Sequence, residues 1–299
     1  MKNLIQSKWE LKRGGAVLLA SVVFLSGCES LGLTYVNTLA RLQKPVVIRD
    51  IDYGAEERQK LDLYRSRDVS SASPVVVFFH GGSWMQGSKD KYIFVGEALA
   101  SKGFIAVIPN YRLYPQVKFP EFVEDGALAL KWVHKNIHQF GGDSNDLYVM
   151  GHSAGAHIAA LLTLDEHYLE SVGGSNDWLS GMIGLAGPYD WLPYFSERDK
   201  AIFGPPPRYS LSQPVNFVDG DEPPLLLMYG DRDRTVKPRN IKNLAAAVLR
   251  EHGRVRTIYY AGLGHIDIIG ALSIPLRSRA PVLDDLAIFI DNKTGTFRP

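Results

Sequence analysis

From Leu147 to Leu162 the chain reads Leu-Tyr-Val-Met-Gly-His-Ser-Ala-Gly-Ala-His-Ile-Ala-Ala-Leu-Leu. Leu147 to Met150 is a short apolar run that suits a buried strand, and the Ala- and Leu-rich segment from Ala154 suits a helix. Gly151-His152-Ser153-Ala154-Gly155 joins them. A strand and a helix joined in so few residues need a turn so tight that only glycines at 151 and 155 let the backbones pass. Such a turn lifts the Ser153 hydroxyl clear of the sheet and onto a helix N-terminus. The pattern alone is weak: with ordinary Gly and Ser usage, a chain of 299 residues meets Gly-x-Ser-x-Gly by chance about one time in ten. Its meaning depends on what the rest of the chain supplies.

At 45% hydrophobic and 22% charged residues, the composition is that of an ordinary globular protein with room for a sizeable core. A formal net charge of +1 creates no global field to draw nucleic acid or an acidic partner, so neither is expected. No fixed-period repeat or low-complexity tract is present.

The first 28 residues differ in kind. Lys2, Lys8, Lys12 and Arg13 make a basic start, interrupted by Glu10, and an uncharged stretch from Ala16 to Gly27 follows. That stretch is too short to span a bilayer comfortably. It ends in Leu25-Ser26-Gly27-Cys28, which resembles the lipobox of bacterial lipoproteins. Cys28 is the only cysteine, so it has no internal disulfide partner. The resemblance implies a signal peptide over 1–27 and a diacylglyceryl thioether on Cys28. The expectation is thus a lipid-anchored protein of the bacterial cell envelope. Glu29 stands where an Asp would favour inner-membrane retention, which points to the outer membrane facing the periplasm. A plain signal peptide, or a buried apolar start with a stray cysteine, is the alternative. Residues 28–45 suit either a short amphipathic helix or a tether.

The mature chain then alternates. Val46–Ile48 and Leu61–Tyr64 read as antiparallel edge strands joined by a polar turn around Gly54. Pro74 opens Val75–Phe79, apolar on both alternating sets, as a strand covered on both faces should be. Strands follow at Phe104–Ile108, Leu147–Met150, Met182–Ala186, Leu225–Tyr229 and Val255–Tyr260. Helices are predicted over Tyr92–Lys102, Phe119–Gln139, Ala154–Leu164, Ile241–His252 and Pro281–Asn292. This order argues for one α/β domain over 46–299 with a mainly parallel sheet and right-handed crossovers. Residues 189–224 break the rhythm, rich in Trp191, Tyr194, Phe195, Phe203 and prolines. They suit a small cap-like excursion over the carboxyl edge of the sheet, where ligands bind in such folds.

A serine hydroxyl becomes a nucleophile when an imidazole takes its proton and a carboxylate fixes the imidazole's tautomer. The tetrahedral oxyanion also needs preorganised N–H donors. Directly after Val75–Phe79 stands His80-Gly81-Gly82-Ser83-Trp84, so the amides of Gly81, Gly82 and Ala154 are the candidate oxyanion donors. After Leu225–Tyr229 stand Asp231 and Asp233 in one loop, either of which could be the acid; Asp190 is a third option. Of the eight histidines, His265 alone follows the last strand in a Gly-rich loop, Gly262-Leu263-Gly264-His265. His134, His138, His167 and His252 sit on helices or helix ends, His157 reads as packed, and His80 reads as a brace for the glycine loop. His152 is aimed away from Ser153 by the turn.

These parts together resemble the alpha/beta-hydrolase superfamily from about residue 50 to the C-terminus. Tyr111-Arg112-Leu113, Phe140-Gly141-Gly142-Asp143 and Gly151-His152-Ser153-Ala154-Gly155-Ala156-His157 resemble prenylcysteine methylesterases, feruloyl-esterase-like proteins and arylformamidases. The resemblance implies an eight-stranded, mostly parallel sheet flanked by helices, with no metal and no cofactor. It selects Asp233 over Asp231 through the frame Gly230-x-x-Asp233-x-x-Val236. It implies a Ser153–Asp233–His265 triad hydrolysing small carboxylic esters through an acyl-enzyme. Hormone-sensitive-lipase-like members carry a third glycine where this chain has Ser83, and an Asp within the elbow that is absent here. An amidase, arylformamidase or peptidase with the same triad, or a non-catalytic envelope lipoprotein, would share these residues. Trp84 and Trp191 are candidate substrate contacts.

Overall fold

A computed structural model describes residues 31–69 and 72–292. The signal-peptide and lipidation expectations, Cys28 included, lie outside the described residues.

The eight strands are β1 (Val46–Asp52), β2 (Lys60–Arg65), β3 (Ser73–Phe79), β4 (Ile105–Pro109), β5 (Gly142–His152), β6 (Leu179–Leu185), β7 (Leu225–Gly230) and β8 (Val255–Tyr260). They form one sheet in the order β1-β2-β4-β3-β5-β6-β7-β8. β1–β2 and β2–β4 are antiparallel; every other pair is parallel. The edge strands are half exposed while β3, β4 and β7 are buried almost throughout. That is why the inner strands read as unbroken apolar runs.

The twofold alternation of β3 divides the core. Val75, Val77 and Phe79 face one layer with α3 (Glu121–Asn136), α4 (Ala154–Leu164) and α7 (Arg239–Arg250). Val76 and Phe78 face the other, with α2 (Ile93–Ser101), α8 (His265–Gly270) and α9 (Val282–Asp291). Both faces of the sheet are thus covered, and the loops at the carboxyl ends of the strands are left to build a site.

Residues 31–42 form a helix, α1, so this part of the segment from 28 to 45 is helical. Asn37 staples it to the domain: its Nδ2 donates to the Lys91 carbonyl at 3.1 Å, and its Oδ1 accepts from the Phe94 amide at 3.1 Å. The predicted long helix from Phe119 ends as α3 at Asn136 and a 3₁₀ turn, Ile137–Phe140, closed by Gly141 at φ 92°. Residues 189–224 contain α6 (Glu197–Phe203) and two 3₁₀ turns, Pro206–Ser212 and Pro214–Phe217. α5 (His167–Glu170) is a single turn after α4.

Candidate active site

Ser153 sits between the end of β5 and the start of α4 with φ 54° and ψ −121°, a left-handed conformation that costs a non-glycine residue about 1–3 kcal/mol. The surroundings enforce it. A Cβ on Gly151 would lie 2.2 Å from the Gly155 carbonyl, and one on Gly155 would lie 2.0 Å from the Phe79 oxygen. The Ser153 amide donates to Leu185 O on β6 at 2.9 Å. Backbone contact on both sides therefore holds the serine.

His265 and Asp233 meet it there. His265 is the first residue of α8, a short helix where the sequence suggested only loop. Asp267 fastens this turn, its Oδ2 accepting the Gly264 amide at 2.8 Å and its Oδ1 pairing with Arg279 Nη1 at 2.7 Å. His265 Nδ1 lies 2.7 Å from Asp233 Oδ2, and His265 Nε2 lies 2.9 Å from Ser153 Oγ. With Nδ1–H donating to the carboxylate, Nε2 presents its lone pair to the serine hydroxyl. The other Asp233 oxygen accepts the amides of Thr235 at 2.7 Å and Val236 at 3.0 Å. Burial, the largest single influence, pushes the Asp233 carboxyl up. Its hydrogen bond to His265, the His265 charge and the two amides together outweigh that and hold it below its ordinary value of 3.8.

The rival carboxylates are occupied elsewhere. Asp231 accepts the Gly262 amide at 2.7 Å and ties its own loop to the one that leads into α8. Asp190 accepts Asn243 Nδ2 at 2.6 Å.

The glycine loop after β3 faces the same point. Gly81 and Gly82 line the cavity that contains Ser153, and Gly82 takes φ 128°, open only to glycine without strain. Ala154 opens α4, so its N–H belongs to a helical first turn, whose amides lack intrahelical partners. His80 is buried beneath this loop. Its Nδ1–H donates to Gly81 O at 2.8 Å, Tyr111 Oη donates to His80 O at 2.7 Å, and the His80 and Tyr111 rings stack at 4.4 Å. Burial drags the His80 imidazole from 6.5 to about 4. His152 and His157 are likewise pulled to about 3, chiefly by burial. His157 accepts Trp84 Nε1–H at its Nδ1, 3.2 Å away, and donates from Nε2 to Ser212 O at 2.8 Å. All three stay neutral and act as struts.

The cavity at Ser153 and His265 has a volume of about 520 Å³. Neither Trp84 nor Trp191 lines it, so the expectation that they contact substrate is not met at this cavity. They stack on each other at 5.9 Å, and Phe203 from α6 meets Trp84 edge-on at 4.8 Å. An aromatic side chain has more apolar surface to gain in that layer than beside polar loop amides. The excursion over 189–224 seals this layer and contributes no residue to the cavity wall. The wall comes from a source the sequence reading missed: Leu33 and Val36 of α1, with Phe94, Ile266, Ile269 and Leu276. Apolar residues at 33, 36 and 40 are spaced for one helix face, but that spacing does not say what the face packs against. Among the described residues, no group of three or more His, Cys, Asp or Glu could hold a metal ion.

An eight-stranded sheet with this strand order, a strand–serine–helix elbow after β5, an acid loop after β7 and a histidine after β8 has the alpha/beta-hydrolase fold. The BD-FAE family model matches residues 61–248, and the chain belongs to that family. It is 30% identical over 293 residues to a probable isoprenylcysteine alpha-carbonyl methylesterase of Oryza sativa subsp. japonica, covering 91% of this chain and 69% of the relative. It is 28% identical to esterase LipC of Mycobacterium tuberculosis, covering 75% of this chain and 58% of that one. Its fold is similar to that of an inhibited esterase B from Lactobacillus rhamnosis, with a TM-score of 0.74 at 19% identity over 93% of this chain and 97% of the other.

Proposed function

We propose that this chain is a serine carboxylesterase in which Ser153 is the nucleophile, His265 the general base and Asp233 its orienting acid. The observation that carries this is the bridge through His265, 2.9 Å to Ser153 Oγ and 2.7 Å to Asp233 Oδ2. Ser153 Oγ attacks the ester carbonyl as its proton passes to His265 Nε2, and Asp233 stabilises the imidazolium that forms. Amides of Gly81, Gly82 and Ala154 take the oxyanion, each contributing about 3–4 kcal/mol in the transition state. His265 then returns the proton to the leaving alkoxide, and water repeats the sequence on the acyl-enzyme. The relatives named as esterases support this chemistry.

The test is Ser153→Ala assayed with p-nitrophenyl acetate, with kcat expected to fall by about four to six orders of magnitude. Turnover matching the unaltered chain would sink the assignment. Matched ester and amide substrates decide which acyl compound is preferred, and the ester is expected to lead.

The leader sequence supports a second element of the reading: acylation of Cys28 and residence in the outer membrane, with residues 46–299 as the hydrolase domain facing the periplasm. Mass spectrometry of the N-terminal peptide is expected to show a cysteine carrying acyl chains.

A further inference from the structure

Helix α1 is apolar on two sides. At 100° per residue, Leu33, Val36 and Ala40 fall on one face and Leu31, Tyr35 and Leu42 on the opposite one. The first face is turned inward: Ala40 is fully buried, and Leu33 and Val36 close part of the Ser153 cavity. The second stands in water, with Leu31 72%, Tyr35 58% and Leu42 65% exposed. A surface helix ordinarily turns polar residues outward, so an apolar outer stripe calls for a partner.

Three features point to which partner. Leu31 follows Cys28 by three residues, a separation that extended chain spans in about 10 Å. Residues 31–44 hold no Asp or Glu, while Arg41 and Lys44 stand exposed at the far end of the segment, as suits contact with phosphate headgroups. Ile266, next to His265, is 66% exposed and lines the same cavity as Leu33 and Val36.

We propose that the Leu31–Tyr35–Leu42 stripe of α1 docks on the phospholipid surface, and that the cavity walled by the helix's inner face takes amphiphilic esters from that surface. The proposal rests on the esterase and Cys28-anchor readings above. A short apolar stripe binds a bilayer weakly, and a tether a few residues long keeps it at high local concentration there. An ester whose chain lies among the lipids then reaches Ser153 along an apolar wall, without crossing water as a free monomer. Each methylene buried against that wall raises kcat/KM by about fourfold.

The test uses the full chain reconstituted in phosphatidylethanolamine/phosphatidylglycerol vesicles. Cys28 is the sole native cysteine, so an acylated chain carrying Tyr35→Cys accepts one dansyl label. Its emission is expected to shift to the blue and to be quenched by brominated lipids, while a label at Leu249→Cys, on α7, behaves as in water. The double variant Leu31→Glu/Tyr35→Glu is expected to lose at least tenfold on a vesicle-embedded ester and to keep its rate on p-nitrophenyl acetate. A Tyr35→Cys label that behaves as in water, or equal losses on both substrates, would overturn docking. Two labels per Tyr35→Cys chain would reveal a free Cys28 and remove the anchor that docking requires. Failure of the unaltered chain on both esters would remove the esterase reading, and with it the delivery of esters to Ser153, while the label still decides docking.

Discussion

His152 Nε2–H donates to the backbone carbonyl of His265 at 2.9 Å, so the residue before the nucleophile holds the main chain of the base. The two rings lie 4.8 Å apart. His152 is buried and pulled to about 3 by burial and then by the charge of His265, so it acts as a fixed neutral donor. His152→Phe keeps the ring volume and removes that donor. Reacting groups displaced by about 1 Å can cost about a hundredfold in rate. The expected outcome is a kcat loss of about ten- to a hundredfold with KM little changed, and partial rescue by His152→Gln. An unchanged kcat in His152→Phe would show that α8 is held adequately by Asp267 alone.

The two aspartates of the loop after β7 should separate cleanly. Asp233→Asn keeps the shape but invites the wrong tautomer of His265, and the loss expected in kcat is about 10⁴. Asp231→Asn leaves the triad intact and weakens one bond to the Gly262 amide, which contributes about 1 kcal/mol to stability. Steady-state kinetics on both variants with one short ester, together with urea melts, read the difference directly.

Stability should fall on the acid side well before the Asp233 carboxylate titrates. His80, His152 and His157 have folded values of about 4, 3 and 3, against 6.5 ordinarily. Depressed values mean that the unfolded chain binds more protons below pH 6.5, so stability is fully present above that point and declines as pH drops towards 4. At pH 5 each neutral histidine costs about 2 kcal/mol, and three together approach the 5–15 kcal/mol of a typical domain. Asp233, held below 3.8, adds its own loss only at still lower pH. The urea midpoint is expected to drop steeply between pH 7 and pH 5, less so in His157→Gln. A midpoint constant across that range would contradict the burial of these rings.

Much of this architecture is written in local pattern. β8 and α4 run over the residues their periodicity indicates, and Val75–Phe79 marks the central strand because both its faces are covered. Ser153, His265 and an acid at Asp231 or Asp233 could be placed along the chain because each follows a strand at the carboxyl edge, and the family resemblance then selects Asp233. Two features were not legible, for different reasons. α8 is six residues long, too short to show a helical period. The cavity wall from α1 depends on residues 31–42 folding back onto Phe94, a contact through Asn37 across 57 positions that no local window carries. Aromatic residues beside a glycine loop also look the same whether they meet substrate or one another.

That last ambiguity can be resolved at Trp84. Its ring packs between Trp191, Phe203 and His157, and its Nε1–H satisfies His157 Nδ1. Trp84→Phe keeps an aromatic ring and leaves a buried acceptor unpaired, at a cost of about 1–3 kcal/mol. Because Trp84 contributes nothing to the cavity wall, KM across a series of acyl-chain lengths should stay within about twofold, as KM tracks binding contacts common to ground and transition states. Leu33→Ala, on the wall itself, should show the reverse pattern: a modest loss of stability, because Leu33 is only half buried, and a raised KM that grows with chain length. If Trp84→Phe changed the chain-length profile and Leu33→Ala did not, the substrate would run under the excursion over 189–224, and the α1 wall would be packing.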